Sequence, residues 1–103
     1  MQGELLNFVS ENYLSSINEN QDLLFRGDVQ NDLNYFYHLW KEEEARHKNS
    51  LNVQLRLMDF SIFTMRYQET FDAMDNIIRL APNKEYLRWQ IDARLKMMGA
   101  TSP

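Results

Sequence analysis

The chain has 103 residues, 44% of them hydrophobic and 25% charged, with a formal net charge of -4 and no cysteine. A chain of this length is expected to form one domain, and its apolar content is too high for a disordered segment. The lack of cysteine excludes a disulfide framework, a thiol nucleophile and a cysteine–zinc site, and favours the reducing cytoplasm. No apolar run approaches about 18 residues, so we expect no membrane insertion, and the acidic first ten residues lack the basic leader of a signal peptide.

Sparse glycine and proline point to helices rather than strands. No proline precedes Pro82, and Gly27 is the only glycine between Gly3 and Gly99. A sheet protein of this size would need several turns, which glycine, proline or Asn-Gly pairs normally mark. We therefore predict an all-α fold, a small bundle of four to five helices forming a single domain over residues 1–99, with a loose C-terminal tail at 100–103.

Apolar residues recur at helical spacings in five successive segments. Gly27 suits the left-handed residue that ends a first helix, and Asp28 or Asn31 could cap the second. The stripe then runs almost unbroken from Val29 to Ile62, so one long helix is an alternative to two helices with a break near 48–50. The five stripes are Leu6, Val9, Tyr13, Ile17 and Leu24; Val29, Leu33, Phe36 and Trp40; Leu51, Leu55, Met58 and Ile62; Tyr67, Phe71, Met74, Ile77 and Ile78; and Leu87, Ile91, Leu95 and Met98.

The later helix ends carry their own signals. A break is predicted at Met65–Arg66, and Pro82 ends the fourth helix because proline disfavours helical backbone in the residue before it. Asn83 is predicted to cap the last helix with Glu85 in its first turn, and Gly99 to end it.

Charge is distributed unevenly along the chain. Residues 1–34 hold six acidic side chains against one arginine, whereas the last stretch holds Lys84, Arg88, Arg94 and Lys96 against Glu85 and Asp92. The acidic front and the basic rear could pair within the fold or between two copies, or they could form ordinary solvated surface.

The stretch from Leu51 to Lys84 resembles one tetratricopeptide repeat, a 34-residue pair of helices. The matching residues are Leu57 in the first helix, Tyr67 and Glu69 at the start of the second, and the closing Leu80, Pro82 and Asn83; continued into a second repeat, the pattern places Glu85 and Gly99 at the ends of another first helix. The chain departs from the repeat pattern at Gln54, Met58, Met65, Thr70 and Ile77.

The resemblance implies a concave groove lined by the first helix of each repeat. The groove positions correspond to Asn52, Leu55, Asp59, Ile62, Tyr86, Trp89, Ala93 and Lys96. They mix apolar and charged groups, as a surface that binds a peptide or helix would. Leu55, Ile62 and Trp89 could instead belong to the core.

Glu44 and His47 form a Glu-x-x-His pair within a predicted helix. Such a pair resembles the metal-binding helix of ferritin-like di-iron proteins, which use two such pairs together with further carboxylates. This chain has one pair and two histidines, so a metal site would require a dimer. The alternative is a charged turn near a helix end. The sequence holds no glycine-rich phosphate loop and no pattern for a nucleophile paired with a base.

Large, adaptable side chains are abundant: six Met, six Phe, five Tyr and two Trp. We expect some to remain exposed unless another polypeptide covers them. We therefore predict a non-catalytic interaction module without a cofactor (an adaptor, small chaperone or inhibitor) that binds another protein or a second copy of itself. The alternatives are the metal-binding dimer and a structural oligomer subunit, and the net charge disfavours nucleic acid. The predicted contact residues are Leu55, Asp59, Ile62, Tyr86, Trp89, Ala93 and Lys96, with Asp59 and Lys96 fixing register.

Overall fold

Five α-helices and one short 3-10 helix make up the computed structural model, which describes residues 3–99. Their bounds are α1 (Gly3–Glu19), the 3-10 helix (Gln21–Phe25), α2 (Gly27–Arg46), α3 (Leu51–Phe63), α4 (Tyr67–Leu80) and α5 (Glu85–Met97). The described residues contain no strand, so the predicted all-α bundle is confirmed. None of these helices is both long and apolar enough to cross a membrane. The predicted tail at 100–103 lies outside the described residues.

The segment from Val29 to Ile62 forms two helices, which decides between the two alternatives. The chain leaves the helical conformation after Arg46 and enters it again at Leu51. Ser50 starts α3, because its hydroxyl oxygen accepts a hydrogen bond from the amide of Val53 at 3.4 Å.

Gly27 does not end the first helix, contrary to the prediction. It is the first residue of α2, and its backbone is not left-handed. The chain turns earlier, through the 3-10 helix that follows α1, and this turn packs Leu23 and Leu24 against the core. Asp28 is not the capping residue either: it lies in the first turn of α2, and Arg26 precedes the helix.

The other predicted helix ends have mixed outcomes. α4 ends at Leu80, two residues before Pro82, and Gly99 follows α5 with a left-handed φ of 76°, as predicted. The break at Met65–Arg66 is also confirmed, and Met65 has a φ of 60°. Asn83 was expected to cap α5, but Lys84 stands at that position and makes no side-chain capping hydrogen bond.

Helix α3 occupies the centre of the bundle. It packs between α2 and α4, and nine of its thirteen residues are buried. A helix buried around most of its circumference belongs to the interior, which is why Phe60 and Phe63 are both enclosed although they point in different directions. The Phe60 ring stacks on Phe36 of α2, with centroids 5.2 Å apart.

Two buried hydrogen bonds connect neighbouring helices. Trp40 of α2 donates its indole N–H to the hydroxyl of Ser10 in α1 at 2.9 Å. The hydroxyls of Ser61 in α3 and Thr70 in α4 lie 2.7 Å apart. Small polar residues at these positions let the helices approach and satisfy each other's buried groups. They join α1 to α2 and α3 to α4.

Candidate interaction surface

Helix α5 presents apolar residues on two faces. Leu87 and Ile91 are buried against the bundle, and Leu95 and Met98 are partly buried beside them. These four residues form the inner face, which follows the stripe predicted from the sequence. Because the inner face already anchors α5 on the bundle, the other apolar residues of this helix are available to contact a partner.

The other apolar face points away from the bundle. Successive residues of an α-helix are rotated by about 100°, so spacings of three and four residues keep side chains on one face. We call the exposed set Tyr86, Trp89, Ala93 and Met97 the α5 outer stripe. The exposed fractions of its large members are 52% for Tyr86, 68% for Trp89 and 44% for Met97. An exposed tryptophan beside an exposed tyrosine indicates a contact surface, since both side chains are frequent at protein interfaces.

A row of alternating charges runs beside the α5 outer stripe. We call Glu85, Arg88, Asp92 and Lys96 the charged row; all four are exposed and have the same helical spacing as the stripe. Arg88 and Asp92 also line a groove of about 340 Å³ between α5 and Ile78 of α4. The apolar stripe and the polar row together have the composition of a protein-contact surface with a polar rim.

Asp59 and Arg94 connect α5 to the centre of the bundle. The Nε of Arg94 donates to Oδ1 of Asp59 at 2.9 Å, and the Arg94 guanidinium also lies 5.5 Å from the centroid of the Phe63 ring. Burial raises the pKa of Asp59, while the charges of Arg94 and Arg56 act against this rise. Asp59 therefore holds α5 in place within this chain.

The ionic contacts continue from α3 to α1. Arg56 lies 4.0 Å from Asp59 on one side, and on the other it donates to Glu11 at 2.7 Å and to Asn7 at 3.0 Å. The resulting series of alternating charges ties α1, α3 and α5 together along one side of α3. Part of the acidic front and of the basic rear is therefore neutralised inside the fold.

The seven predicted contact residues fall into two groups. Asp59 and Ile62 are buried and Leu55 is partly buried in α3, so these three do not line an open groove. The second group lies together on the exposed face of α5 and consists of Tyr86, Trp89, Ala93 and Lys96. Met97 and three members of the charged row, Glu85, Arg88 and Asp92, were not among the predicted residues, although their spacing of three and four residues from Tyr86, Trp89 and Lys96 was a signal for them.

Glu44 and His47 lie in different surroundings. Although burial opposes it, hydrogen bonds from Lys41 at 2.6 Å and Gln54 at 2.8 Å hold the pKa of Glu44 below its ordinary value. His47 follows the end of α2, is exposed, and lines a separate cleft with Glu43. Within residues 3–99 no three histidine or carboxylate side chains come together in a way that could hold a metal ion.

No protein-family model, curated protein or solved structure matches this chain.

Proposed function

We propose that this chain is a non-catalytic protein-interaction module that binds a helix or peptide of its partner through the α5 outer stripe. The observation that carries the proposal is the exposure of Trp89 and Tyr86, at 68% and 52%, on a helix whose opposite face is already buried. Aromatic anchors supply much of the binding energy of protein interfaces. Adaptor, small chaperone and inhibitor all use a surface of this kind, and a cysteine-free chain suits the cytoplasm.

A comparison with the exposed apolar side chains elsewhere in the protein supports α5 as the contact surface. Phe25 and Met65 are exposed at helix ends, and Tyr35 stands on α2 beside the buried Phe36. Isolated exposed apolar residues are ordinary features of protein surfaces. Exposed apolar residues also share a face on α1 (Leu5 and Phe8) and on α4 (Tyr67, Phe71 and Ile78, at 46%, 38% and 41% exposed). On α5 the apolar residues follow one another over three turns and include Trp89, which is 68% exposed and of the residue type most typical of interface hot spots.

The charged row supplies specificity in this proposal. The row replaces the predicted pair of Asp59 and Lys96, since Asp59 is bound to Arg94 inside the fold. Exposed charges at the rim of an interface add little affinity, but they penalise a partner in the wrong register or orientation. Lys96 keeps the role predicted from the sequence.

The resemblance to a tetratricopeptide repeat concerns the arrangement of α3, α4 and α5 in this proposal. The bounds Leu51–Phe63 and Tyr67–Leu80 are those of a helical hairpin, and α5 follows as the next helix. This order supports a repeat-like arrangement in which the partner is bound by the last helix. The contact surface would then be the outer face of α5 rather than a groove between α3 and α5.

Photo-cross-linking in cells of the source organism tests the proposed function. Benzoylphenylalanine replaces Trp89 in one variant and Tyr35 in a matched control, because Tyr35 is 60% exposed on a different helix. We expect a discrete cross-linked product from position 89 and none from position 35. Absence of a product at position 89, or the same product at both positions, would contradict the proposal.

The variant Trp89→Ala provides the second measurement. Because most of the Trp89 side chain is exposed, we expect its melting temperature to stay within a few degrees of the wild type while the cross-linked product, now sought from benzoylphenylalanine at Tyr86, is lost. A large loss of thermal stability would show that Trp89 supports the fold instead.

A further inference from the structure

We propose that the α5 outer stripe binds the α5 helix of a second copy of this chain, packed antiparallel around a twofold axis. The inference rests on the proposed function and names its partner. It follows from three properties of α5: the order of its charges, the order of its side-chain sizes, and the absence of ion pairs at both ends of the charged row within residues 3–99.

The charged row is complementary to itself when reversed. A twofold axis perpendicular to the plane of two antiparallel helices brings the same flank of each helix together. Along the chain the row reads negative, positive, negative, positive, at Glu85, Arg88, Asp92 and Lys96. Read in reverse, the signs are inverted at every position. Glu85 therefore faces Lys96 of the second copy, Arg88 faces Asp92 of the second copy, and symmetry repeats both pairs.

The apolar side chains fit the same register to within two residues. With Glu85 opposite Lys96, the large Trp89 comes opposite the small Ala93 of the second copy, and Tyr86 comes opposite Met97. A small residue opposite a large one leaves room for the indole ring and allows the helices to approach closely. Four large apolar side chains, Trp89 and Tyr86 from each copy, are then covered by the contact.

Charge also favours this partner over the acidic front of the chain. An α5 surface docked on α1 of another copy would be a head-to-tail contact, which forms open chains unless the rotation closes. In addition, Glu11 on α1 is already paired with Arg56 at 2.7 Å. The reversed charged row, by contrast, satisfies both copies at once in a closed dimer.

The expected strength follows from the size of the contact. α5 has 13 residues and is therefore about 20 Å long. One helix from each copy lies at the small end of specific interfaces, so we expect dissociation constants in the micromolar range. The exposed charges of the rim are screened by salt, so the dimer should weaken as ionic strength rises.

Sedimentation equilibrium over a range of concentrations tests the dimer by charge reversal. Neither Glu85 nor Lys96 forms an ion pair within the described part of the chain, so their variants break no ion pair of the fold, although each reversal puts a charge at an end of α5 that the helix dipole disfavours. Lys96→Glu or Glu85→Lys alone places like charges opposite each other twice, and we expect each to weaken the dimer about tenfold. The double variant, Glu85→Lys with Lys96→Glu, should restore it. Lys48→Glu makes the same change in net charge away from α5 and should have no effect.

A mixture of the two single variants gives the sharpest result. Lys96→Glu and Glu85→Lys chains complement each other at both pairs, so the mixture should form heterodimers more tightly than either variant forms homodimers. A monomeric wild type at all concentrations up to the millimolar range, or a dimer unchanged by Lys96→Glu, would overturn the inference. If position 89 cross-links a different protein while the chain stays monomeric, this inference fails and the proposed function stands.

Discussion

Asp59 is the residue whose role depends most on its surroundings. Its carboxylate lies inside the bundle and is held by Arg94 from α5, 35 residues later in the chain. From the sequence, Asp59 was predicted to face a partner and fix its register. The spacing of residues along α3 gives its direction correctly, but it cannot show that another helix of the same chain lies over it. That depends on how α5 packs, which local sequence does not determine.

Arg94→Met tests this pair through the pH dependence of stability. Burial raises the pKa of Asp59, and without Arg94 the pKa should rise further. An acid whose pKa is higher in the folded state contributes most stability below its unfolded pKa, and this contribution is lost as pH rises through the folded pKa. We expect Arg94→Met to cost about 2 kcal/mol at pH 7 and markedly less at pH 4, measured by urea unfolding at both values.

Arg79→Met is the matched control for this experiment. Arg79 is exposed on α4, and its side chain makes a single long hydrogen bond to Asn49 at 3.4 Å. Its loss should change the free energy of unfolding by about 0.5 kcal/mol or less at both pH values. An Arg94→Met cost that is equal at pH 7 and pH 4 would show that Arg94 acts through packing rather than through the charge of Asp59.

At the scale of the helices, the spacing of apolar residues predicted the elements well, whereas capping signals predicted only some of the helix ends. Spacings of three and four residues gave all five α-helices, because each buries one face on its neighbours. The helix end predicted at Pro82 is correct because proline restricts the backbone of the residue before it, and Gly99 is correct because it adopts a left-handed φ of 76° without a Cβ clash. Gly27 and Asn83 were wrong because glycine and asparagine only permit a turn or cap, and tertiary packing chose another geometry at both places.

The turn between α3 and α4 gives a prediction at this scale. Met65 has a φ of 60°, a left-handed backbone that costs a side chain with a Cβ about 1 kcal/mol more than it costs glycine. The Met65 side chain is exposed, so its removal loses little packing. We expect Met65→Gly to raise the free energy of unfolding by up to about 1 kcal/mol in thermal melts. Met65→Ala retains the Cβ and should give no gain; equal stabilisation by both variants would refute the strain argument.

For the whole molecule, the amount of apolar side chain was predictable and its distribution was not. The count of aromatic residues and methionines predicted exposed apolar groups, and Trp89, Phe8 and Phe25 are among those exposed. The sequence could not show that α3 would be enclosed while α5 would keep a free face. Both helices carry apolar residues around much of their circumference. Only the way the helices pack against one another shows that α3 lies at the centre of the bundle and α5 at its edge.

The difference in burial between α3 and α5 should appear as a gradient in hydrogen exchange. α5 contributes two buried residues, Leu87 and Ile91, whereas α3 contributes nine, so α5 should open locally at a lower free energy than the bundle unfolds. Exchange followed by mass spectrometry at low protein concentration should show α5 amides exchanging first and α3 amides last. Arg94→Met should accelerate exchange in α5 selectively, and Arg79→Met should not. Uniform exchange across all helices would contradict a peripheral α5. Raising the protein concentration should slow exchange in α5 alone, because a second copy stabilises only the helix it covers.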